Sequence, residues 1–344
     1  MANQGKVSIV VLNWNGRDDT VECLESLRAV DYPDHEIVVV DNGSTDDSVE
    51  AIRRRFPEVK IVEIGDNLGY TGGNNAGIRC ALAAGAEFVL LLNNDTKVCA
   101  KLVSQLVSAA VEHPNAGFFS PKIYFYSEPT RIWFAGGKWS ERKAQFIHLG
   151  YGMDDSAGAF NAVTVMDYAC GCAVLVRTSV IRQIGLLDER FFLVFEDVDW
   201  CYRGRKAGFE SLFVPDAAVW HKASRSFGGS ESPLITYFHT RNRLLWGAKH
   251  LPLLGFIALL RRVCVELLPD FRWPAFPSAH GLRASHAKRL YWNALQWCAD
   301  LRRQWRRART ELTSAHARAR FLGIRDFALA RFGGLRASKL QRSN

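Results

Sequence analysis

The sequence predicts an α/β fold with a mostly parallel central sheet, followed by a basic helical extension. Two observations predict the sheet and a third predicts the extension. Short β-branched apolar runs alternate with segments of helical periodicity through the first 120 residues. Three of those runs end in polar clusters, Asn13-Trp14-Asn15, Asp41-Asn42 and Asn93-Asn94-Asp95. Parallel α/β sheets open their ligand crevice beyond the carboxyl ends of the strands, so all three clusters should meet at one edge. The charge then divides the chain: residues 240–344 hold 21 Lys+Arg against 5 Asp+Glu, a net of +16, whereas residues 1–239 hold 23 against 30, a net of −7.

Taken in order, Lys6–Asn13 is a continuous β-branched run and reads as a buried strand. Arg17–Val30 carries Val21, Leu24 and Leu27 at helical spacing. Glu36–Val40 is a second strand, leading into a helix that ends near Phe56 and takes Asp46 or Ser44 as its cap. Val59–Ile64 is a third strand, Tyr70–Ala84 a helix entered through Gly69, Gly72 and Gly73, and Glu87–Leu92 a fourth strand. Residues 121–165 are rich in aromatics and glycine and read as short strands and loops. Asp167–Val176 predicts a buried strand, Thr178–Ile184 and Glu196–Ala207 predict helices, and Ser211–Val214 a strand. In the extension, Leu290, Ala294, Cys298, Leu301, Trp305, Ala308 and Leu312 form one helical stripe, surrounded by Arg302, Arg303, Arg306, Arg307 and Arg309.

Composition narrows the function classes. Apolar residues make up 48% and charged residues 23%, which excludes whole-chain disorder. An acidic body with a basic tail is a poor match to a nucleic-acid-binding domain. None of the eight cysteines forms a CxxC pair and most lie in apolar runs, so they read as reduced packing residues of a reducing compartment. The first apolar run, Val7 to Leu12, is too short for a secretory signal, and no stretch reaches the ~20 apolar residues that span a bilayer. A cytoplasmic protein is expected.

Several residues have the chemistry for a site. Asp95 follows an apolar strand directly, where a carboxylate is held at the crevice edge and a hard divalent cation could bridge it to a diphosphate; a turn or helix cap is the other reading. Glu196-Asp197-Val198-Asp199 packs three carboxylates behind the run Arg190–Phe195. Acids at a helix start complement its dipole, but an apolar wall also raises a carboxyl pKa and makes a usable general base. His221 after Val219-Trp220 is either structural or a metal or phosphate contact. The segment Gly69–Gly77 opens a helix whose amides could meet phosphate, yet it is neither a Walker loop nor a G-x-G-x-x-G fingerprint.

In order, the motifs are Val10-Val11-Leu12-Asn13-Trp14-Asn15, Val40-Asp41-Asn42-Gly43-Ser44-Thr45-Asp46, Asn67-Leu68-Gly69-Tyr70-Thr71-Gly72-Gly73-Asn74, Leu92-Asn93-Asn94-Asp95, Phe195-Glu196-Asp197-Val198-Asp199-Trp200-Cys201, and Trp220-His221. Over about residues 5–250 the chain resembles family 2 glycosyltransferases of the GT-A fold, nearest the rhamnosyltransferase-like branch that builds cell-envelope polysaccharides. The resemblance implies a GT-A domain over 1–240, and the charge split and helical stripe set off a basic amphipathic helical extension over 241–344. It implies that Asp197 is the catalytic base and that Asp95, with His221, holds Mg²⁺ or Mn²⁺. It places Asn13, Asp41, Asn67, Asn74, Asn93 and Asn94 among the contacts to a nucleotide-diphosphate sugar, Asp41 at its base or ribose, and Arg225 near its pyrophosphate. Asn93 stands where the family's metal motif has its first Asp. Asp188-Glu189 also recurs in the family and is read as structural.

These roles imply an inverting transfer of a sugar, rhamnose being one candidate, to a saccharide or lipid-linked saccharide. One base, one metal and one displacement suffice, without the second carboxylate a retaining glycosidase needs. The tail's arginines and five of the ten tryptophans suit either an anionic membrane surface or packing on the catalytic domain. A nucleotidyltransferase would place a basic glycine-rich loop after the first strand, where Asn13-Trp14-Asn15-Gly16-Arg17 is a poor match. A polyanion-binding protein acting through the tail is the non-enzymatic alternative.

Overall fold

The computed structural model describes residues 5–140, 145–222, 232–267 and 314–334. The chain divides into two compact units, residues 1–231 with 331–344, and residues 232–330.

The first unit begins with strand β1 (Val7–Asn13), helix α1 (Arg17–Leu27), β2 (His35–Asp41), α2 (Ser48–Arg55), β3 (Lys60–Glu63), α3 (Gly69–Ala83) and β4 (Phe88–Asn93). These match the alternation read from the sequence to within a few residues. It continues with β5 (Thr96–Val98), α4 (Leu102–Glu112), β6 (Ala116–Phe125), β7 (Ile132–Phe134), β8 (Gly137–Ser140), β9 (Gln145–His148), β10 (Thr164–Met166), β11 (Ala173–Arg177), α5 (Thr178–Ile184), α6 (Glu196–Lys206) and β12 (Glu210–His221). The main sheet runs β10-β12-β6-β11-β4-β1-β2-β3, with β5 and β7 added on β12 and β6. Four of the seven neighbouring pairs on that path are parallel: β12 with β6, and β4, β1, β2 and β3 in succession. The sheet is therefore mixed, because β11 lies antiparallel to both β4 and β6.

The register delivers the predicted edge. Asn13 at the end of β1 pairs with Asp41 at the end of β2, and Leu12 pairs with Asn93 at the end of β4. β1 is buried on both faces, as its unbroken apolar run requires.

Three local readings are corrected. The segment from Asp167 to Cys172 is not strand; β11 starts at Ala173, and residues 170–172 form a turn whose Cys172 carbonyl accepts the Asn93 N–H at 2.9 Å. β12 does not stop at Val214. It bulges past Pro215 and Asp216, since proline cannot donate to the ladder, and runs on to His221. Helix α2 starts after Asp47, which makes no side-chain cap bond; Asp46 accepts from the Ser48 N–H at 3.2 Å, and Ser44 bonds elsewhere.

The glycines of α3 serve close packing. A Cβ on Gly73 would overlap Leu12, and one on Gly77 would overlap Val10 Cγ1. Helix α3 thus lies directly on β1. Gly77→Ala should destabilise the protein by about 1–3 kcal/mol through overpacking, measured by urea unfolding. An unchanged midpoint would mean that the helix shifts without cost.

The second unit comprises α7 (Pro233–His250), α8 (Leu253–Val265) and α9 (Ala315–Ala328). Ser232 caps α7 and Ser314 caps α9, each accepting a backbone N–H three residues on. Gly323 brings α9 onto the α7 backbone, where a Cβ would stand 2.9 Å from the Tyr237 carbonyl. Tyr237 donates to Asp326 at 3.0 Å. α7 runs unbroken across residue 240, where the sequence suggested a boundary. The stripe from Leu290 to Leu312 and its arginines lie outside the described residues, as does Arg225.

Candidate active site

The crevice edge is built on Asn13, which is completely buried. Its Nδ2 donates to Asp41 Oδ1 at 2.9 Å and to Ser44 Oγ at 3.1 Å. Its Oδ1 accepts from Thr20 Oγ1 at 2.8 Å and from the Gly16 N–H at 3.3 Å. Asp41 Oδ2 accepts the Ser44 N–H at 3.0 Å, so its carboxylate is fixed by two neighbours at the rim. Asn94 turns toward the same hub and donates to Thr20 Oγ1 at 2.9 Å. Asn93 makes no side-chain hydrogen bond among the described residues, which leaves its amide available at the mouth.

Across from this hub, Asn42 donates to Asn67 Oδ1 at 3.1 Å, and Asn67 Oδ1 also accepts the Gly69 N–H at 2.8 Å. Asn74 is buried and donates back to the Tyr70 carbonyl at 2.9 Å. The Thr71 N–H is taken by the Phe192 carbonyl at 3.2 Å. The α3 amides read as a phosphate cradle are thus partly occupied by protein acceptors. Asn75 clamps Leu187 and Glu189, donating to the former's carbonyl at 2.9 Å and to Glu189 Oε1 at 3.0 Å. That matches the structural reading of Asp188-Glu189.

Asp95 and His221 are 126 positions apart in sequence and meet because β12 runs antiparallel to β5, pairing His221 with Thr96. Asp95 Oδ1 and His221 Nε2 are 3.2 Å apart, and both side chains are almost entirely buried. Burial alone would push the Asp95 carboxyl up; the hydrogen bond and charge of His221 outweigh it and hold the carboxyl below its usual value. His221 Nδ1 is buried and makes no hydrogen bond, so no second partner fixes the ring's tautomer. Trp133 stands edge-on to His221 at 4.8 Å, with His148 beyond it at 4.6 Å. Burial brings the His148 pKa down to about 4, so this ring is a neutral part of the wall at pH 7.

The acidic cluster has three separate environments. Asp199 is completely buried and paired with Arg203 at 2.8 Å, a structural role. Asp197 accepts the Gly171 N–H at 2.9 Å and the Val198 N–H at 2.7 Å. Glu196 is buried with Oε2 unpartnered. Burial, then the charge of Asp197, pushes Glu196 far above the usual carboxylate range; burial also raises Asp197, against the backbone N–H groups that favour its ion. The turn before the cluster is strained. Phe192, Val194 and Phe195 all take positive φ, at 65°, 58° and 73°, and Phe192 centres a tight turn closed by a 2.8 Å bond from the Leu193 N–H to the Phe191 carbonyl. Gly69 leaves room for that turn, since a Cβ there would overlap Phe192.

One short turn joins the two halves of the site. Gly171 donates to Asp197, and the next residue, Cys172, accepts from Asn93, two residues before Asp95. The sequence profile of glycosyl transferase family 2 matches residues 8–185, more than half of the chain. The chain belongs to glycosyl transferase family 2.

Relatives of this family 2 glycosyltransferase include the N-acetylglucosaminyl-diphospho-decaprenol L-rhamnosyltransferase of Mycobacterium tuberculosis, 29% identical over 62% of this chain and 75% of that protein. The low-salt glycan biosynthesis hexosyltransferase Agl10 of Haloferax volcanii is 27% identical over 70% of this chain and 74% of its own. The dTDP-rhamnosyl transferase RfbF of Shigella flexneri is 25% identical over 63% and 73%. Among solved structures, the mannosyltransferase PcManGT of Pyrobaculum calidifontis, in complex with GDP-Man and Mn²⁺, superposes with a TM-score of 0.55 at 15% identity, over 95% of this chain and 88% of that one. The fold of the enzyme is GT-A, with a mixed, mostly parallel sheet.

The residues present fit a divalent cation. Two ligands at right angles on one ion, with bonds of about 2.1 Å, lie about 3 Å apart, close to the observed separation of 3.2 Å between Asp95 and His221. No group of three His, Cys, Asp or Glu capable of holding a metal occurs among the described residues, so most ligands would come from diphosphate oxygens and water, as Mg²⁺ sites commonly arrange.

Sequence reasoning missed Gly171, which holds Asp197, and Lys222, which donates its N–H to the Asp95 carbonyl and pairs with Asp19 and Glu22, both at 2.6 Å. It also missed Trp133. The flexibility of the backbone at Gly171 was the one available signal, and it was hidden by the apolar residues around it.

Proposed function

We propose that the chain is an inverting, metal-dependent glycosyltransferase that moves a hexosyl or deoxyhexosyl unit, rhamnose in our reading, from a nucleotide-diphosphate donor to a hydroxyl of a saccharide or lipid-linked saccharide acceptor. The observation that carries this is the 170–172 turn, which ties a base-like carboxylate to the strand end bearing Asp95 and His221. Asp197 takes the acceptor hydroxyl's proton, its carboxylate aimed by two backbone N–H groups. Asp95 and His221 would hold a divalent cation, which would offset the negative charge on a departing diphosphate. Asp41 and Asn93 contact the donor, while Asn13, Asn67, Asn74 and Asn94 position the rim on which it rests. Arg225 is assigned to the pyrophosphate by its motif alone.

The rhamnosyl assignment draws on the names of the relatives, two of which are rhamnosyltransferases and one of which acts on a decaprenol-linked sugar. A place in cell-envelope polysaccharide synthesis, at the cytoplasmic face of the inner membrane, belongs to the same proposal and is supported by the motif resemblance alone. A thermal-shift panel of nucleotide sugars with and without Mn²⁺ tests the donor: dTDP-rhamnose should raise the melting temperature by mass action, and more with Mn²⁺. A panel in which no nucleotide sugar shifts it would remove the donor class.

The acid limb of kcat/KM should lie above the ordinary carboxylate range of about 4, because burial raises the Asp197 carboxyl, which must be ionised before it can take the acceptor's proton. A rate profile flat down to that range would take Asp197 out of the proton transfer.

A further inference from the structure

Helix α8 buries one face and exposes the other. Leu259 and Val263 are buried, and Phe256 meets Phe327 of α9 at 5.9 Å. Gly247 of α7 lies so close to Leu259 that a Cβ would overlap it. Arg243 of α7 reaches Glu266 at 2.9 Å. The helix is therefore held by one side, and the opposite side is apolar: Leu253 is 73% exposed, Leu254 81%, Ile257 51% and Val265 62%. Single exposed apolar residues are ordinary; four on one arc of a 13-residue helix are not.

We infer that this face is a membrane-docking surface, and that α8 lies in the plane of an anionic lipid interface. Three observations select that occupant. The helix is about 20 Å long at 1.5 Å per residue, short of the ~30 Å hydrocarbon core, and no described helix is long and apolar enough to cross a membrane. Arg261 and Arg262 are exposed at its C-terminal half, and Arg261 has no ion-pair partner among the described residues. Arg261 stands in the row between Ile257 and Val265 and Arg262 beside it, so the apolar arc carries an arginine whose long stem can reach up to the headgroups, as on an interfacial helix. The net charge of +16 over residues 240–344 attracts an anionic surface, whereas it repels the same segment of a second copy. The inference rests on the proposed lipid-linked acceptor only for its purpose: a docked helix would bring the transferase to the surface where such an acceptor resides.

The test is vesicle flotation of the full-length protein. With vesicles of phosphatidylcholine and phosphatidylglycerol in equal parts, wild type should float at low salt and release as salt rises. The triple variant L253S/L254S/I257S should partition at least about tenfold more weakly while keeping the wild-type melting temperature, because its replaced side chains face solvent. A single variant, Arg261→Glu, should weaken binding to anionic vesicles and leave the small binding to pure phosphatidylcholine vesicles unchanged. Flotation of the triple variant equal to wild type overturns the inference. So does a triple variant that binds vesicles normally but loses an oligomer by light scattering, which would assign the face to a second copy. Flotation needs no turnover, so its outcome is separate from that of the transfer reading, which fails instead if a water-soluble acceptor is never glycosylated.

Discussion

Asp197→Asn should lower turnover by about 10²–10⁴-fold while donor affinity stays close to wild type. The acceptor hydroxyl is a weak nucleophile until its proton is taken. Among the acids of the α6 start, Asp199 is committed to Arg203 and Glu196 is sealed with an unpartnered oxygen. Asp197 alone combines partial exposure with an aimed carboxylate, held at 2.9 Å by Gly171 and 2.7 Å by Val198. The amide of asparagine keeps the shape but cannot accept a proton, and its NH₂ replaces one acceptor facing those N–H groups. A melting temperature measured alongside separates that local cost from the catalytic loss. Single-turnover rates near wild type in the folded variant would move the base to Glu196.

The second large effect is on donor binding. Asp95→Ala should weaken donor affinity at least about tenfold in Mn²⁺ and erase the difference between Mn²⁺ and EDTA, because it removes the only carboxylate in contact with His221 among the described residues. His221→Ala should do the same to a smaller degree: the ring supplies one neutral ligand, whereas Asp95 supplies charge. Titration calorimetry of the donor reads both. Wild-type affinities that are equal in Mn²⁺ and EDTA would remove the cation from the account, whatever the variants do.

Much of the fold was legible because local pattern and tertiary demand agree. The runs of β1, β2 and β4 are buried and apolar, and each is closed by a polar cluster, so both their identity as strands and their common edge could be read. Reading failed where a local signal pointed the other way. Pro215-Asp216 looks like the end of a strand, yet the sheet absorbs it as a bulge, and only the continuation of β12 carries His221 back to Asp95. Cys170-Gly171-Cys172 looks like strand interior, yet it is the turn that aims Asp197. The glycines of α3 suggested phosphate binding, whereas two of them admit the helix to within contact of β1. The pairing of Asp95 with His221 has no local signal, since it depends on antiparallel pairing across 126 positions, and it came into view only through the motif resemblance. α8 lies in the extension that the sequence reads as helical, and Pro252 stands just before its first turn, where a missing N–H costs nothing.

The central claim is a single displacement at the anomeric carbon, driven by one base. The most direct measurement is the anomeric configuration of the product, read from the one-bond carbon–hydrogen coupling of the transferred sugar in a nuclear magnetic resonance spectrum. With Asp197 as base and no second carboxylate acting as nucleophile, the product should carry the configuration opposite to that of the donor. Retention of the donor's configuration would contradict the account, because it requires a covalent or front-face route that this placement of Asp197 does not provide.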